Sequence, residues 1–157
     1  MQSANYLANL LNSQPNYSVN AENEVIYKGE IIAKIFSREN FYSNFLEPNE
    51  IYWETVISRR ILPNEAIFVK NSNTVFIIEK RSQNESGSTD EKLGACAFKR
   101  KQYEKLLQGR CNLKMIYLLS NWFNDYKYRD VLMYINSEGC YYYFNDIPFE
   151  IFELSSH

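Results

Sequence analysis

The chain has 157 residues, of which 45% are hydrophobic and 23% charged, and its formal net charge is -2. This balance suits one globular domain with a hydrophobic core and excludes an intrinsically disordered chain. A near-neutral net charge gives no support to general nucleic-acid binding, so any basic binding surface has to be local.

Histidine and cysteine usage narrows the chemistry further. The only histidine is His157, which excludes a histidine-based triad or a histidine-ligated zinc site built from this chain alone. Cys96, Cys111 and Cys140 include no CxxC pair, which predicts inert core thiols in a reducing compartment, the cytoplasm. No secretory signal and no segment long enough to span a membrane is seen, so no membrane partner is expected.

The first third of the chain alternates helical and strand patterns. The spacing of apolar residues predicts, in order, a helix, two strands, one or two helical turns and a second helix: Ala4–Leu11, Glu24–Tyr27, Glu30–Phe36, Asn40–Phe45 and Glu50–Ile61. Asn49 suits the N-cap of the last helix and Pro63 would end it, while Asn12–Asn23 is predicted to be a loop.

A hairpin follows, and it is the clearest local signal in the sequence. Ala66–Val69 and Thr74–Ile78 are rich in β-formers and are separated by a turn at residues 71–73. The continuous apolar run at residues 75–78 is typical of a strand that is buried on both faces at the centre of a mixed sheet. The elements predicted after it are a crossover helix, a parallel strand, a helix, a strand and a closing helix: Ala95–Gln108, Lys114–Leu119, Tyr128–Asn136, Cys140–Phe144 and Pro148–Leu154.

Polar residues collect at the end of the second hairpin strand. Because side chains alternate across a strand, Glu79, Arg81 and Gln83 are predicted to share one face while Lys80 points to the other. Asn64 and Glu65 lead into the first strand, whose start lies beside the end of the second. Without histidine, phosphodiester hydrolysis needs a metal such as Mg²⁺ held by oxygen ligands, and a nearby cation to stabilise the transition state.

This pattern resembles the PD-(D/E)XK nuclease superfamily, and within it the type II restriction endonucleases of the E-x-K-x-Q subgroup. Pro63-Asn64 stands for the Pro-Asp element and Glu79-x-Arg81-x-Gln83 for E-x-K-x-Q, and the resemblance covers roughly Ile61–Leu119. It implies an α/β fold with a restriction-endonuclease-like core, a mixed central sheet flanked by helices in αβββαβ order. The whole chain, 1–157, would form one nuclease-like domain with its core at about 50–145.

The resemblance also implies a function and a site. The function is Mg²⁺-dependent hydrolysis of double-stranded DNA at a specific sequence, by a homodimer if the target is a palindrome. The implied catalytic residues are Asn64, Glu79, Arg81 and Gln83. The candidate metal ligands are Asn64, Glu79, Glu65 and Glu54. The candidate DNA contacts are Ser86, Ser88, Lys92, Lys99, Arg100 and Lys101.

Two positions depart from the motif and leave alternatives open. Asn64 is neutral where the motif has aspartate, and Arg81 stays protonated where the motif has lysine. The same fold would therefore also suit a catalytically inactive DNA-binding relative or subunit, or an inactivated variant of the nuclease. A protein-interaction module without a nucleic-acid role is the third hypothesis. The aromatic run at residues 141–144 is expected to pack in a strand.

Overall fold

A mixed β-sheet organises the chain, and its strands lie side by side in the order in which they occur in the sequence. In the computed structural model, residues 5–82 and 89–154 are described, without the side chains of residues 89–91. The strands of these ranges are β1 (Tyr17–Val19), β2 (Glu24–Tyr27), β3 (Glu30–Phe36), β4 (Glu65–Val69), β5 (Thr74–Arg81), β6 (Asn112–Leu119) and β7 (Tyr141–Phe144). Neighbouring strands from β1 to β5 are antiparallel, whereas β5, β6 and β7 are parallel.

Helices connect the strands and cover both faces of the sheet. The α-helical segments are α1 (Tyr6–Asn12), α2 (Glu39–Phe41), α3 (Thr89–Gly94), α4 (Cys96–Leu107) and α5 (Arg129–Ser137). A π-helical segment at Tyr42–Leu46 continues α2, and 3-10 turns occur at Glu47–Asn49, Trp53–Thr55, Asn121–Phe123, Tyr126–Tyr128 and Phe149–Phe152. The parallel connections from β5 to β6 and from β6 to β7 run through α4 and α5, as parallel crossovers require.

The central strand β5 divides the core in two, because its side chains alternate between the faces. Val75 and Ile77 pack on the side covered by α4 and α5. Phe76 and Ile78 pack on the side covered by α1 and the closing 3-10 turn. The predicted α/β fold with a mixed central sheet flanked by helices is confirmed. The segment from β3 through β4, β5 and α4 to β6 gives the βββαβ part of the predicted order, but β1 and β2 separate it from α1.

Two sequence predictions are wrong in this region. The helix expected over Glu50–Ile61 is absent, since Glu50 adopts a left-handed φ of 61° and only the short turn at Trp53–Thr55 follows. The loop expected over Asn12–Asn23 contains β1, whose backbone pairs with β2 at the edge of the sheet. No helix within the described ranges is long and apolar enough to cross a membrane.

Candidate active site at the end of the central hairpin

The hairpin register brings Asn64 next to Glu79. Glu65 pairs with Ile78, so Asn64 lies just before β4, opposite the last residues of β5. The Asn64 side-chain oxygen accepts a hydrogen bond from the Lys80 backbone N–H at 2.7 Å, and the Asn64 N–H donates to Glu79 Oε2 at 3.4 Å. The side chain of Asn64 thus extends the pairing of the two strands by one residue, and the Asn64 backbone N–H lies against the Glu79 carboxylate.

Glu79 is a buried carboxylate held by two cations. Only 3% of the residue is exposed, on the face of the sheet that α4 covers. Its Oε1 atom lies 3.0 Å from Lys99 Nζ and 3.4 Å from Arg81 Nη2. Arg81 also donates from Nη1 to the Lys80 carbonyl oxygen at 2.8 Å, which fixes the guanidinium against the strand. Ion pairing offsets the cost of burying the Glu79 charge.

Lys99 reaches this site from α4 rather than from the hairpin. Sequence reasoning assigned it to a DNA-contacting surface and missed its contact with Glu79. The helical spacing of α4 could have indicated this contact. Lys99 lies on the same face of the helix as Cys96 and Tyr103, and both of those residues are buried against the sheet. An amine therefore reaches Glu79 from a neighbouring helix and not from the hairpin.

Two buried tyrosines lie close to Glu79. Tyr117 is in register with Glu79 on β6, and Tyr103 comes from α4; both are almost completely buried. Burial, and secondarily the nearby Glu79 charge, raises the pKa of each phenol well above its ordinary value, so both stay protonated. The Tyr117 hydroxyl has no hydrogen-bond partner among the described residues.

The structure does not bring Glu65 to this site, which corrects its assignment as a metal ligand. Strand alternation turns it to the opposite face, where it is 1% exposed. There it pairs with Lys80 Nζ at 2.7 Å and accepts the backbone N–H groups of Tyr6 and Leu7 at 2.9 and 3.0 Å. Glu65 therefore joins the hairpin to the first turn of α1.

Glu54 is likewise not found beside Glu79. The helix expected to carry it is missing, and Glu54 lies exposed in the short turn at Trp53–Thr55. Within the described part of the chain, no three His, Cys, Asp or Glu side chains gather as a metal-binding group. Gln83, Ser86 and Ser88 fall outside the described residues.

The basic residues expected to contact DNA are dispersed. Arg100 donates to the Glu138 carbonyl oxygen at 2.8 Å and to Glu104 at 2.9 Å, so it ties α4 to the turn before β7. Lys101 is exposed on α4, and Lys92 is partly exposed on α3. Of this group, Lys99 alone has a described contact with the carboxylate at the end of the hairpin.

Comparison with known proteins finds similarity in structure but not in sequence. No family model matches the sequence, and no curated protein matches it. The fold is similar to the crystal structure of the MunI restriction endonuclease in complex with cognate DNA, with a TM-score of 0.42, 10% sequence identity and coverage of 78% of each chain. At this degree of similarity, the roles of individual residues have to follow from the geometry of this chain.

Proposed function

We propose that this chain is a metal-dependent nuclease of the type II restriction endonuclease kind, which hydrolyses phosphodiester bonds in double-stranded DNA at a specific sequence. The observation that carries the proposal is the arrangement around Glu79. A buried carboxylate, a carboxamide oxygen and two cations from separate elements meet at one end of the hairpin.

The charge of this group suits a phosphate. Arg81 and Lys99 bring two cationic groups beside Glu79, and their side chains are 14% and 26% exposed. A phosphodiester oxygen that approaches from solvent can thus contact the cations without displacing the core. Since hydrolysis increases the negative charge on the phosphoryl oxygens, fixed cations stabilise the transition state more than the ground state.

The oxygen donors are of the type that Mg²⁺ accepts. Glu79 supplies a carboxylate, and the Asn64 carboxamide oxygen lies at the same end of the hairpin, where it accepts the Lys80 N–H. Mg²⁺ is commonly held by one or two carboxylates together with water and substrate phosphate. When bound, the ion supplies Lewis-acid polarisation of the phosphate. In the proposed reaction Glu79 would hold the ion, and Arg81 and Lys99 would compensate the negative charge that develops on the phosphate.

A second candidate function is a DNA-binding relative that does not cleave. Two observations favour it: the Asn64 oxygen is already bonded to the Lys80 N–H, and the Glu79 charge is already matched by two cations. Such a site would bind a phosphate but would hold a divalent cation weakly.

The test is cleavage of supercoiled plasmid DNA in Mg²⁺ and in Mn²⁺ by the natural chain and by Asn64→Asp. We expect metal-dependent nicking or linearisation, and an increase of about 10- to 100-fold in Asn64→Asp. A carboxylate at this position still accepts the Lys80 N–H, so the hairpin should be preserved. Asn71→Asp, in the exposed turn of the same hairpin, is the matched control and should change nothing. DNA binding without cleavage by any of these proteins in either metal would favour the non-cleaving alternative.

A lysine pair on α4 provides a sharper test of the site. Lys99→Ala should lower the maximal cleavage rate about 100-fold, because it removes a cation beside the reacting phosphate. Lys101→Ala, two residues away on the exposed side of the same helix, should leave the rate nearly unchanged. Both are measured in the more active of the natural chain and Asn64→Asp. Equal losses in the two variants would show that Lys99 acts only through general DNA attraction.

A further inference from the structure

The hydroxyl group of Tyr117 is buried in the core next to the candidate active site. The residue is 0% exposed, on the face of the sheet that α4 covers. Within the described part of the chain its oxygen atom has no hydrogen-bond partner. Folded proteins satisfy nearly all buried polar groups with protein atoms or ordered water, because an unsatisfied hydroxyl lowers stability. This hydroxyl therefore indicates that a small polar ligand binds beside it.

The register of the sheet places this side chain beside Glu79. Tyr117 of β6 and Glu79 of β5 are paired in register on strands about 5 Å apart, and their side chains extend from the same face. Yet the Tyr117 hydroxyl makes no hydrogen bond to the carboxylate. Two polar groups that lie near each other without a direct hydrogen bond can be joined by a water molecule.

The Glu79 carboxylate has capacity for such a water on one of its two oxygens. Oε1 lies against both cations, 3.0 Å from Lys99 Nζ and 3.4 Å from Arg81 Nη2. For Oε2, the hydrogen bond described is the long one of 3.4 Å from the Asn64 N–H. Because each carboxylate oxygen accepts up to about two hydrogen bonds, Oε2 can accept another.

The other groups that act on Tyr117 do not offer a strong acceptor. Besides burial, which raises it most, the groups that shift the pKa of the Tyr117 phenol are Glu79, Cys96, Arg81 and Cys140. An arginine side chain accepts no hydrogen bond and a thiol is a weak acceptor, so Glu79 is the strong acceptor of this set. The phenol itself stays protonated and can donate a hydrogen bond.

We propose that Tyr117 is a positioning residue that holds a buried water molecule against the Glu79 carboxylate, an inference whose purpose rests on the proposed function. The water accepts a hydrogen bond from the Tyr117 hydroxyl and donates one to Glu79. The phenol of Tyr103 on α4, whose pKa is raised by burial and then by the Glu79 charge, is a third polar group for this water. Buried waters usually make about three hydrogen bonds.

The role of this water is to fix the orientation of Glu79. The two cations hold Oε1, and the water holds the carboxylate from the side of β6, so that Glu79 keeps one orientation toward the phosphate and the ion. Groups that orient a metal ligand in this way contribute about 10- to 100-fold to metal affinity or activity.

The first test is urea denaturation of the natural chain, Tyr117→Phe, Glu79→Gln and the double variant. Phenylalanine keeps the ring and removes only the hydroxyl. Tyr117→Phe should lower the folding equilibrium constant about tenfold in the natural chain but only about threefold when residue 79 is glutamine, because hydrogen bonds to a charged acceptor are stronger. Tyr142→Phe is the matched control and should change nothing, since Tyr142 is half-buried and in register with Tyr117 on the side away from Glu79.

A crystal structure of the natural chain provides a direct check that needs no variant. One water should lie within hydrogen-bond distance of both the Tyr117 hydroxyl and the Glu79 carboxylate. Three outcomes would overturn the proposal: no water at this position, a Tyr117→Phe variant that is more stable than the natural chain, or equal losses with glutamate and with glutamine at residue 79. The second would show that the hydroxyl has no partner in the folded chain, and the third that it acts without the carboxylate.

The positioning role has a measurement of its own. Calorimetric titration should give a Mn²⁺ dissociation constant about tenfold higher for Tyr117→Phe and an unchanged one for Tyr142→Phe. An unchanged Mn²⁺ affinity in Tyr117→Phe would contradict the positioning role. If the natural chain neither binds Mn²⁺ nor cleaves DNA, the proposed function fails and the positioning role with it, whereas denaturation and crystallography still decide whether the water is bound between Tyr117 and Glu79.

Discussion

Glu79→Gln should lower metal-dependent DNA cleavage about 1000-fold and leave the chain folded. Glutamine has nearly the same shape as glutamate and still accepts the Asn64 N–H, but it removes the one carboxylate at the end of β5. The proposed metal ion then loses its charged protein ligand. Lys99 and Arg81 also lose their contact with the Glu79 carboxylate, but both side chains reach solvent, so the cost in stability should be modest.

The measurement is single-turnover cleavage of a plasmid, together with calorimetric titration of Mn²⁺ into the chain and the variant. It is made in the more active of the natural chain and Asn64→Asp. Glu104→Gln is the control, because it neutralises an exposed carboxylate that pairs with Arg100 on α4. Glu79→Gln with normal cleavage, or with normal Mn²⁺ binding, would remove Glu79 from the proposed mechanism.

The second large effect is on stability and concerns the opposite face of the sheet. Glu65→Ala should lower the free energy of unfolding by about 3–5 kcal/mol, the usual cost of removing one partner of a buried ion pair. The change leaves the Lys80 ammonium, 8% exposed, without this carboxylate and also removes the acceptor of two backbone N–H groups in α1. Urea denaturation followed by circular dichroism measures the difference.

Two further variants separate charge burial from loss of packing. Glu65→Leu combined with Lys80→Met removes both members of the buried ion pair and should recover much of the lost stability, because apolar side chains of similar size replace the two buried charges. Glu104→Ala breaks an exposed ion pair and should change the unfolding free energy by less than about 1 kcal/mol. A loss of similar size for Glu65→Ala and Glu104→Ala would contradict this account of the pair.

Strand positions could be predicted from the sequence because they depend on local patterns. The bounds of β2 and β3 match the expected Glu24–Tyr27 and Glu30–Phe36. β5 continues past its apolar run to Arg81, as the strand alternation applied to Glu79 and Arg81 requires, since β6 pairs with it over that length and buried ion pairs compensate its charged residues. The missing helix over Glu50–Ile61 is the opposite case. The apolar residues there have helical spacing, but Ile51 and Ile57 are buried in the core on irregular backbone.

The part of the candidate site that lies within the hairpin could also be predicted from local patterns. Asn64, Glu79 and Arg81 lie within one hairpin, so strand alternation and register are enough to bring them together. Strand alternation also places Glu65 on the face of the sheet away from Glu79, where it pairs with Lys80. The pairing of β4 with β5 contains no bulge that would turn Glu65 back toward Glu79. Lys99 could not be assigned to the site, because its contact depends on how α4 packs across β5 and on the length of the connection between them.

The sequential strand order also has a consequence for how the chain acquires its structure. Since each strand lies beside its neighbour in sequence, no strand has to be inserted between two that are already paired. During synthesis from the amino terminus, β1 to β5 can pair one after another as antiparallel neighbours before β6 emerges. The loops between them are short, except between β3 and β4, so the entropy cost of closing each loop is small. The two parallel crossovers come last in the chain, and non-local parallel pairing is intrinsically slow. A nascent chain that stops before β6 would therefore expose the open side of β5.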